Sequence, residues 1–325
     1  MSFKSFIIFT ICLLIAGFTT PALALPKMER YAVAKIATPV LNTPDFREVF
    51  GGVHGRTLKA DACGQLPSLE FIALPGTVFN IVALLRRGGQ TIYRVTTDEY
   101  PYPEPRGYYV DSRFVKLSPV KPPARRPELP PLTTIIERLL SYQGVPYVWG
   151  GNIARGVPQM LLFYPPATPF KTREQMHRWL LAGLDCSGLL YAATGGYTPR
   201  NTSHLLNYGE PLRIEGLSAD EIIARVQPLD LIVWKGHVMI ILDQERVIES
   251  RPDCQGTVDG VRLLPLRDVL QDIMAKRLAV DEHCATMEQS RKSFVIRRWY
   301  STAAARQARA PGGGALGGLA AAGRH

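Results

Sequence analysis

Apolar positions between residues 26 and 117 fall in short runs, at 31–36, 40, 78–85, 91–95 and 108–115, with polar or glycine-bearing turns between them. Alternation with a period of two puts apolar side chains on one face of a strand, and Gly88-Gly89 between two runs supplies a tight connection. Helical periodicity is absent there, so the pattern predicts a small, mostly antiparallel β-barrel. Beyond residue 131 the period changes. Ile135, Ile136, Leu139 and Leu140 make one helical face, Thr134-x-x-Glu137 reads as a capping box, and Gly144 reads as a stop. Further helices are predicted over 173–181 and 186–194, then strands at 229–234, 237–242, 246–250 and 294–299. Helices and strands in blocks rather than in alternation predict the α+β class. The chain carries no internal repeat.

Two stretches punctuate this pattern. Residues 118–131 hold six prolines in fourteen positions and predict an extended, semi-rigid spacer. Residues 301–325 are mostly Ala and Gly, nine and six of twenty-five, a composition that cannot build a core and predicts disorder. At the other end, Lys4 precedes an apolar run over 6–18 and then Ala22-Leu23-Ala24, a small-x-small cleavage site. That order reads as a secretory signal cleaved near Ala24, with an uncleaved anchor as the alternative. No other segment approaches the ~20 apolar residues of a membrane span. The expected organisation is a signal over 1–24, a β-barrel domain over 25–117, the spacer over 118–131, a second domain over 132–300 and the tail over 301–325. Such a protein is periplasmic or secreted.

Composition narrows the function classes. With 46% hydrophobic residues in 325, disorder over the whole length is excluded. The formal charge of +10 favours anionic surfaces. Basic residues are scattered rather than interleaved with aromatics, so nucleic-acid binding has no support beyond net charge. Outside the apolar leader the cysteines are Cys63, Cys186, Cys254 and Cys284, too few for a disulfide scaffold and not spaced as a zinc site. Cys254 and Cys284 are the candidate pair, leaving Cys63 and Cys186 as thiols. His283-Cys284 near Cys254 lacks regular ligand spacing, and neither a metal nor a cofactor is called for.

The chemistry concentrates in two strings. In Leu184-Asp185-Cys186-Ser187-Gly188-Leu189, Asp185 is a good N-cap, which places Cys186 in the first turn of a helix, where N–H groups and the dipole favour a thiolate. A buried structural cysteine is the competing reading. In Asp230-Leu231-Ile232-Val233-Trp234-Lys235-Gly236-His237-Val238, a histidine opens an apolar strand, suited to serve as the base of a thiol nucleophile. Twelve residues on, the next strand carries Glu249, a candidate to orient the imidazole. An odd-length turn around 243–245 puts His237 and Glu249 on one face, and a two-residue turn puts them on opposite faces.

Tyr147-Val148-Trp149-Gly150-Gly151, Asp185-Cys186-Ser187-Gly188-Leu189, Pro228-x-Asp230-Leu231-Ile232 and Gly236-His237-Val238-x-Ile240-x-Leu242, in this order, resemble the NlpC/p60 cell-wall cysteine peptidases. The resemblance covers about residues 132–300. The β-rich N-terminal part resembles the bacterial SH3-like domains that precede such catalytic domains, on architecture more than motifs. The family implies a papain-like α+β domain that cuts the γ-D-glutamyl–diamino acid amide (meso-diaminopimelate) of peptidoglycan stem peptides or released muropeptides, with no cofactor. By that resemblance Cys186 is the nucleophile, His237 the base, Glu249 the orienting group and Tyr147 part of the oxyanion site. Asp185 and Ser187 hold the substrate's free amino terminus. The chain departs from the family in two places. Glu249 stands where the family has His, Asn or Gln, and Tyr147 lies 39 positions before Cys186, far more than usual. The extra residues, 152–183, are either added core packing or a lid over the groove. A catalytically inactive wall-binding module and a thiol amidase for another peptidoglycan amide are the alternative functions.

Overall fold

The computed structural model describes residues 30–52, 54–254, 259–283 and 292–300. Its first sheet has seven antiparallel strands in the order Leu69–Ala73, Thr38–Leu41, Tyr108–Asp111, Gln90–Thr96, Val78–Arg87, Tyr31–Ala34 and Val115–Ser118. Gly88 and Gly89 join the two longest strands, and both take the positive φ of a two-residue hairpin turn. The expected closed barrel is not formed: among the described residues the outer strands Leu69–Ala73 and Val115–Ser118 do not pair with each other. The Leu69–Ala73 edge is satisfied differently. Ile72 N–H donates to Asn152 Oδ1 at 3.1 Å, and Asn152 Nδ2 donates back to Ile72 O at 2.9 Å. One buried amide side chain thus does for this edge what a neighbouring strand does elsewhere.

The 152–183 segment packs as core. Val157, Met160, Tyr164, Trp179 and Leu181 are buried in one apolar cluster with Phe46, Phe71 and Phe114 from the first sheet and its loops. Tyr164 donates its hydroxyl to buried Asp111, and Trp179 Nε1 donates to Tyr164 O at 2.8 Å. The proline-rich spacer is extended and docked rather than free. Its Arg125 pairs with Glu99 at 2.9 Å and donates to the Tyr191 hydroxyl at 3.1 Å, and Leu129 is buried.

The second sheet is antiparallel along the path Glu210–Pro211, Ser293–Arg298, Leu231–Trp234, His237–Ile241, Arg246–Arg251 and Gly260–Pro265. One face packs on helices Leu132–Ser141 and Cys186–Ala193, the other on Ala219–Ile223 and Leu266–Met274. Blocks of helix and strand make this an α+β fold. The capping box expected at Thr134 and Glu137 does not form. Pro131, with its fixed φ and no N–H, starts the helix at Leu132 and leaves Thr134 inside the first turn. A capping box does form at Ser218 and Glu221.

The cysteine pairing also differs from expectation. Cys254 is bonded to Cys63, with Cα atoms 4.8 Å apart, because the turn at residues 61–65 lies against the loop that carries Cys254. Cys284, the leader 1–24 and the tail 301–325 lie outside the described residues. No described helix is long and apolar enough to cross a membrane.

Candidate active site

Asp185 is in extended conformation and accepts the Gly188 N–H at 2.7 Å, which starts the helix Cys186–Ala193 and fixes Cys186 in its first position. The helix lies against the strand His237–Ile241, and Cys186 and Val238 are buried in one apolar cluster. Burial, and after it the Asp185 charge, disfavour the thiolate; they outweigh the polar backbone of Val238 and Ser187 and the Arg200 charge, and the thiol is pushed up to about 12. Cys186 therefore rests as a thiol at neutral pH, contrary to the expectation drawn from the helix terminus alone.

His237 and Glu249 come together. Ile240 pairs with Ile248 and Ile241 with Val247, so the connecting turn is the three residues 243–245, closed by Leu242 N–H on Arg246 O at 3.0 Å. Its odd length places residues 237 and 249 on one face, and His237 Nε2 lies 2.6 Å from Glu249 Oε2. Glu249 is only 2% exposed. Across the next strand pair it faces Arg262, whose Nε and Nη2 donate to Oε1 at 2.9 and 2.7 Å. Burial raises the Glu249 carboxyl, yet the bonds and charges of His237 and Arg262 win and hold it below the ordinary carboxylate range. An ionised Glu249 can only accept, so the proton of a neutral His237 sits on Nε2 and the lone pair on Nδ1. The Trp234 ring packs on the imidazole with centroids 4.9 Å apart. Among the described residues no side-chain hydrogen bond joins Cys186 to His237; Cys186 shares a buried apolar cluster with Val238, the next residue along this strand.

Asp185 and Ser187 are engaged internally. Arg200, 4% exposed, donates to both Asp185 oxygens at 2.7 and 3.0 Å, to Ser187 Oγ at 2.8 Å, to Gly151 O at 3.1 Å and to Asn152 Oδ1 at 3.2 Å. A buried guanidinium thus already matches the Asp185 charge. Tyr147 is buried, and its phenol is pushed well above its ordinary range by burial and by the Asp185 charge. It stays a neutral hydroxyl. Gln65, two residues from the disulfide, brackets this strip: its Oε1 accepts Trp149 N–H at 2.8 Å and its Nε2 donates to Tyr147 O at 3.5 Å.

Arg200, Arg262, Asn152 and Gln65 were not expected at the site. Arg262 sits in the apolar alternation that opens at Val261, a strand signal that goes unread without its partner strand. Arg200, Asn152 and Gln65 carry no local signal, because tertiary packing alone brings them in. No group of three or more His, Cys, Asp or Glu side chains among the described residues is placed to hold a metal ion.

No family model matches the chain, and no curated protein matches it. Among solved structures the chain is similar to the P60 domain of an antigen from M. avium subspecies paratuberculosis, at 19% identity over 52% of this chain and 96% of that one, with a TM-score of 0.31. It is also similar to NlpC2 from Trichomonas vaginalis, at 12% identity over 84% of this chain and 73% of that one, with a TM-score of 0.30. The site is therefore read from its own geometry.

Proposed function

We propose that this chain is an exported thiol peptidase that cuts the γ-D-glutamyl–diamino acid amide of peptidoglycan stem peptides. The observation that carries the chemistry is the 2.6 Å contact between His237 and Glu249 at the start of the strand against which the Cys186 helix lies. The bond cleaved is the one implied by the motifs at 147–151, 185–189, 228–232 and 236–242.

Cys186, His237 and Glu249 are the catalytic residues of this proposal. His237 Nδ1 takes the thiol proton as sulfur attacks the carbonyl carbon, with Nε2–H held on Glu249. The resulting imidazolium protonates the leaving amine, a thioester remains on Cys186, and water activated by the same imidazole releases the acid. Tyr147, a buried neutral phenol, donates to the developing oxyanion. Asp185 and Ser187 line the substrate end of the groove as the fixed start of the cysteine helix. The signal at 1–24 directs export, and the Cys63–Cys254 disulfide suits an oxidising compartment. The halves at 25–117 and 132–300 are a wall-facing module and the catalytic unit.

The test is to incubate the purified chain with the tripeptide L-alanyl-γ-D-glutamyl-diaminopimelate and with intact muropeptides, and to weigh the products. Release of free diaminopimelate by the unsubstituted chain and none by Cys186→Ala is the expected result. Release of the whole stem peptide, freed from the lactyl group of the muropeptide, would move the chemistry to another amide. Intact substrates from both proteins would leave a binding module.

A further inference from the structure

We infer that Arg262 is a positioning residue for the base: it matches the charge of Glu249, so that His237 is oriented by an ionised carboxylate inside an electrically balanced pair. This rests on the reading of Cys186 and His237 as nucleophile and base. Glu249 divides its two oxygens. Oε2 takes His237 Nε2, and Oε1 takes two donors of the Arg262 fork, the nearer at 2.7 Å. Two N–H bonds from a planar guanidinium converge on Oε1 while His237 holds Oε2, so the carboxylate is fixed at both oxygens, which a single charge on a flexible stem does less well. The imidazole of His237 and the guanidinium of Arg262 are the two ionisable groups that meet Glu249, one from the strand His237–Ile241 and the other from Gly260–Pro265.

Removing Arg262 leaves Glu249 two unfavourable choices. It takes up a proton, since burial pushes its carboxyl upward, and then stops accepting as an anion. Or it stays charged with His237 as its sole counter-charge and holds the imidazolium too firmly. The imidazolium must surrender its proton to the leaving amine, so an over-stabilised cation slows turnover without weakening substrate binding. Glu249→Gln creates the opposite imbalance, an arginine with no anion beside the base. Removing both charges restores balance. Arg262 is itself about one-third exposed at the side chain, so substituting it opens no core cavity.

The experiment is a double-mutant cycle in the full chain with Glu249→Gln, Arg262→Met and both together, reading kcat and KM on the stem tripeptide. Each single change is expected to lower kcat with KM held, and the double variant to turn over faster than Arg262→Met alone, a coupling of about tenfold. The acid side of the Arg262→Met rate profile moves to higher pH, because Glu249 has lost the cation that held its carboxyl low. Arg262→Lys keeps charge without the fork and recovers part of the rate; it also serves if the methionine variant fails to fold. Losses that simply multiply, or an unchanged kcat in Arg262→Met, overturn the inference. A second readout separates it from the proposed activity: the exchange-protected Nε2 proton of His237, seen by NMR. That signal is expected to be sharp in the unsubstituted chain and broadened in Arg262→Met, whether or not any peptide is cut. Equal signals overturn the role of Arg262, whereas absent turnover with the expected signals overturns only the proposed activity.

Discussion

Glu249 is 2% exposed and ionised, a state that survives only because donors on two neighbouring strands meet both of its oxygens. Glu249→Leu leaves Arg262 and His237 facing an apolar group and is expected to cost about 3–5 kcal/mol at neutral pH. Glu249→Gln keeps an acceptor and costs less. The pH dependence follows from the lowered carboxyl: its stabilisation is complete above the ordinary value of 4.5 and is lost as pH falls through the lower folded value. The gap between the unsubstituted chain and Glu249→Gln in urea melts should therefore shrink between neutral pH and roughly pH 3. A constant gap would mean that Glu249 is not held as an anion. Asp185 is governed by the same physics with a different partner. Asp185→Asn strips the charge opposite a 4% exposed arginine and is expected to destabilise by on the order of 3 kcal/mol. Because Arg200 already uses that charge, the ratio of rates on the free and N-acetylated tripeptide should stay as it is in the unsubstituted chain. A collapse of that ratio in Asp185→Asn would return the carboxylate to the substrate's ammonium.

Elements around the site differ in how openly the sequence announces them. The helix Cys186–Ala193 and the strand His237–Ile241 are legible because a side-chain cap and a glycine mark their starts and unbroken apolar stretches fill them. The parity of the turn after Ile241 is not legible from composition. It depends on Asp243, whose Oδ1 accepts the N–H groups of both Glu245 and Arg246 and so closes three residues instead of two. The strand Gly260–Pro265 is missed, and Arg262 with it, because a pairing of 249 with 262 becomes visible only once the neighbouring strand is in register. At 134–137 a sequence pattern that fits a capping box loses to Pro131. The disulfide is opaque for a related reason, since its cysteines are 191 positions apart. It ties the 61–65 turn, and hence Gln65, to the loop after the glutamate strand, with Tyr147 and Trp149 between them. Cys63→Ser is therefore expected to lower stability by about 2–4 kcal/mol and to raise KM more than it lowers kcat. Reductant should reproduce both effects in the unsubstituted chain and add nothing to the variant. An unchanged KM would detach this staple from the groove.

At the scale of the whole molecule, the proline-rich stretch that reads as a boundary in the sequence does not separate two cores. Val148, Val157, Met160, Tyr164, Trp179 and Leu181 follow that stretch in the chain, yet they are buried with the first sheet. Asn152 completes the edge of that sheet and also accepts from Arg200, so one side chain links the β-rich half to the start of the cysteine helix. At roughly 1.5–3 kcal/mol for each large apolar side chain, uncovering these six forfeits about 9–18 kcal/mol. That is as large as the whole stability of an ordinary domain, about 5–15 kcal/mol. A fragment of residues 132–300 is thus expected to be soluble only as an expanded or aggregating species, with weak near-ultraviolet dichroism and no sharp melting. The chain from residue 25 to residue 300 should instead melt in one transition, its calorimetric enthalpy matching the van't Hoff value. Two resolved transitions, or a 132–300 fragment that melts cooperatively and cuts the tripeptide, would mean that the shared core is not what holds the second half together. A single transition that splits only when Cys63–Cys254 is reduced would assign the coupling to the disulfide in place of the apolar cluster.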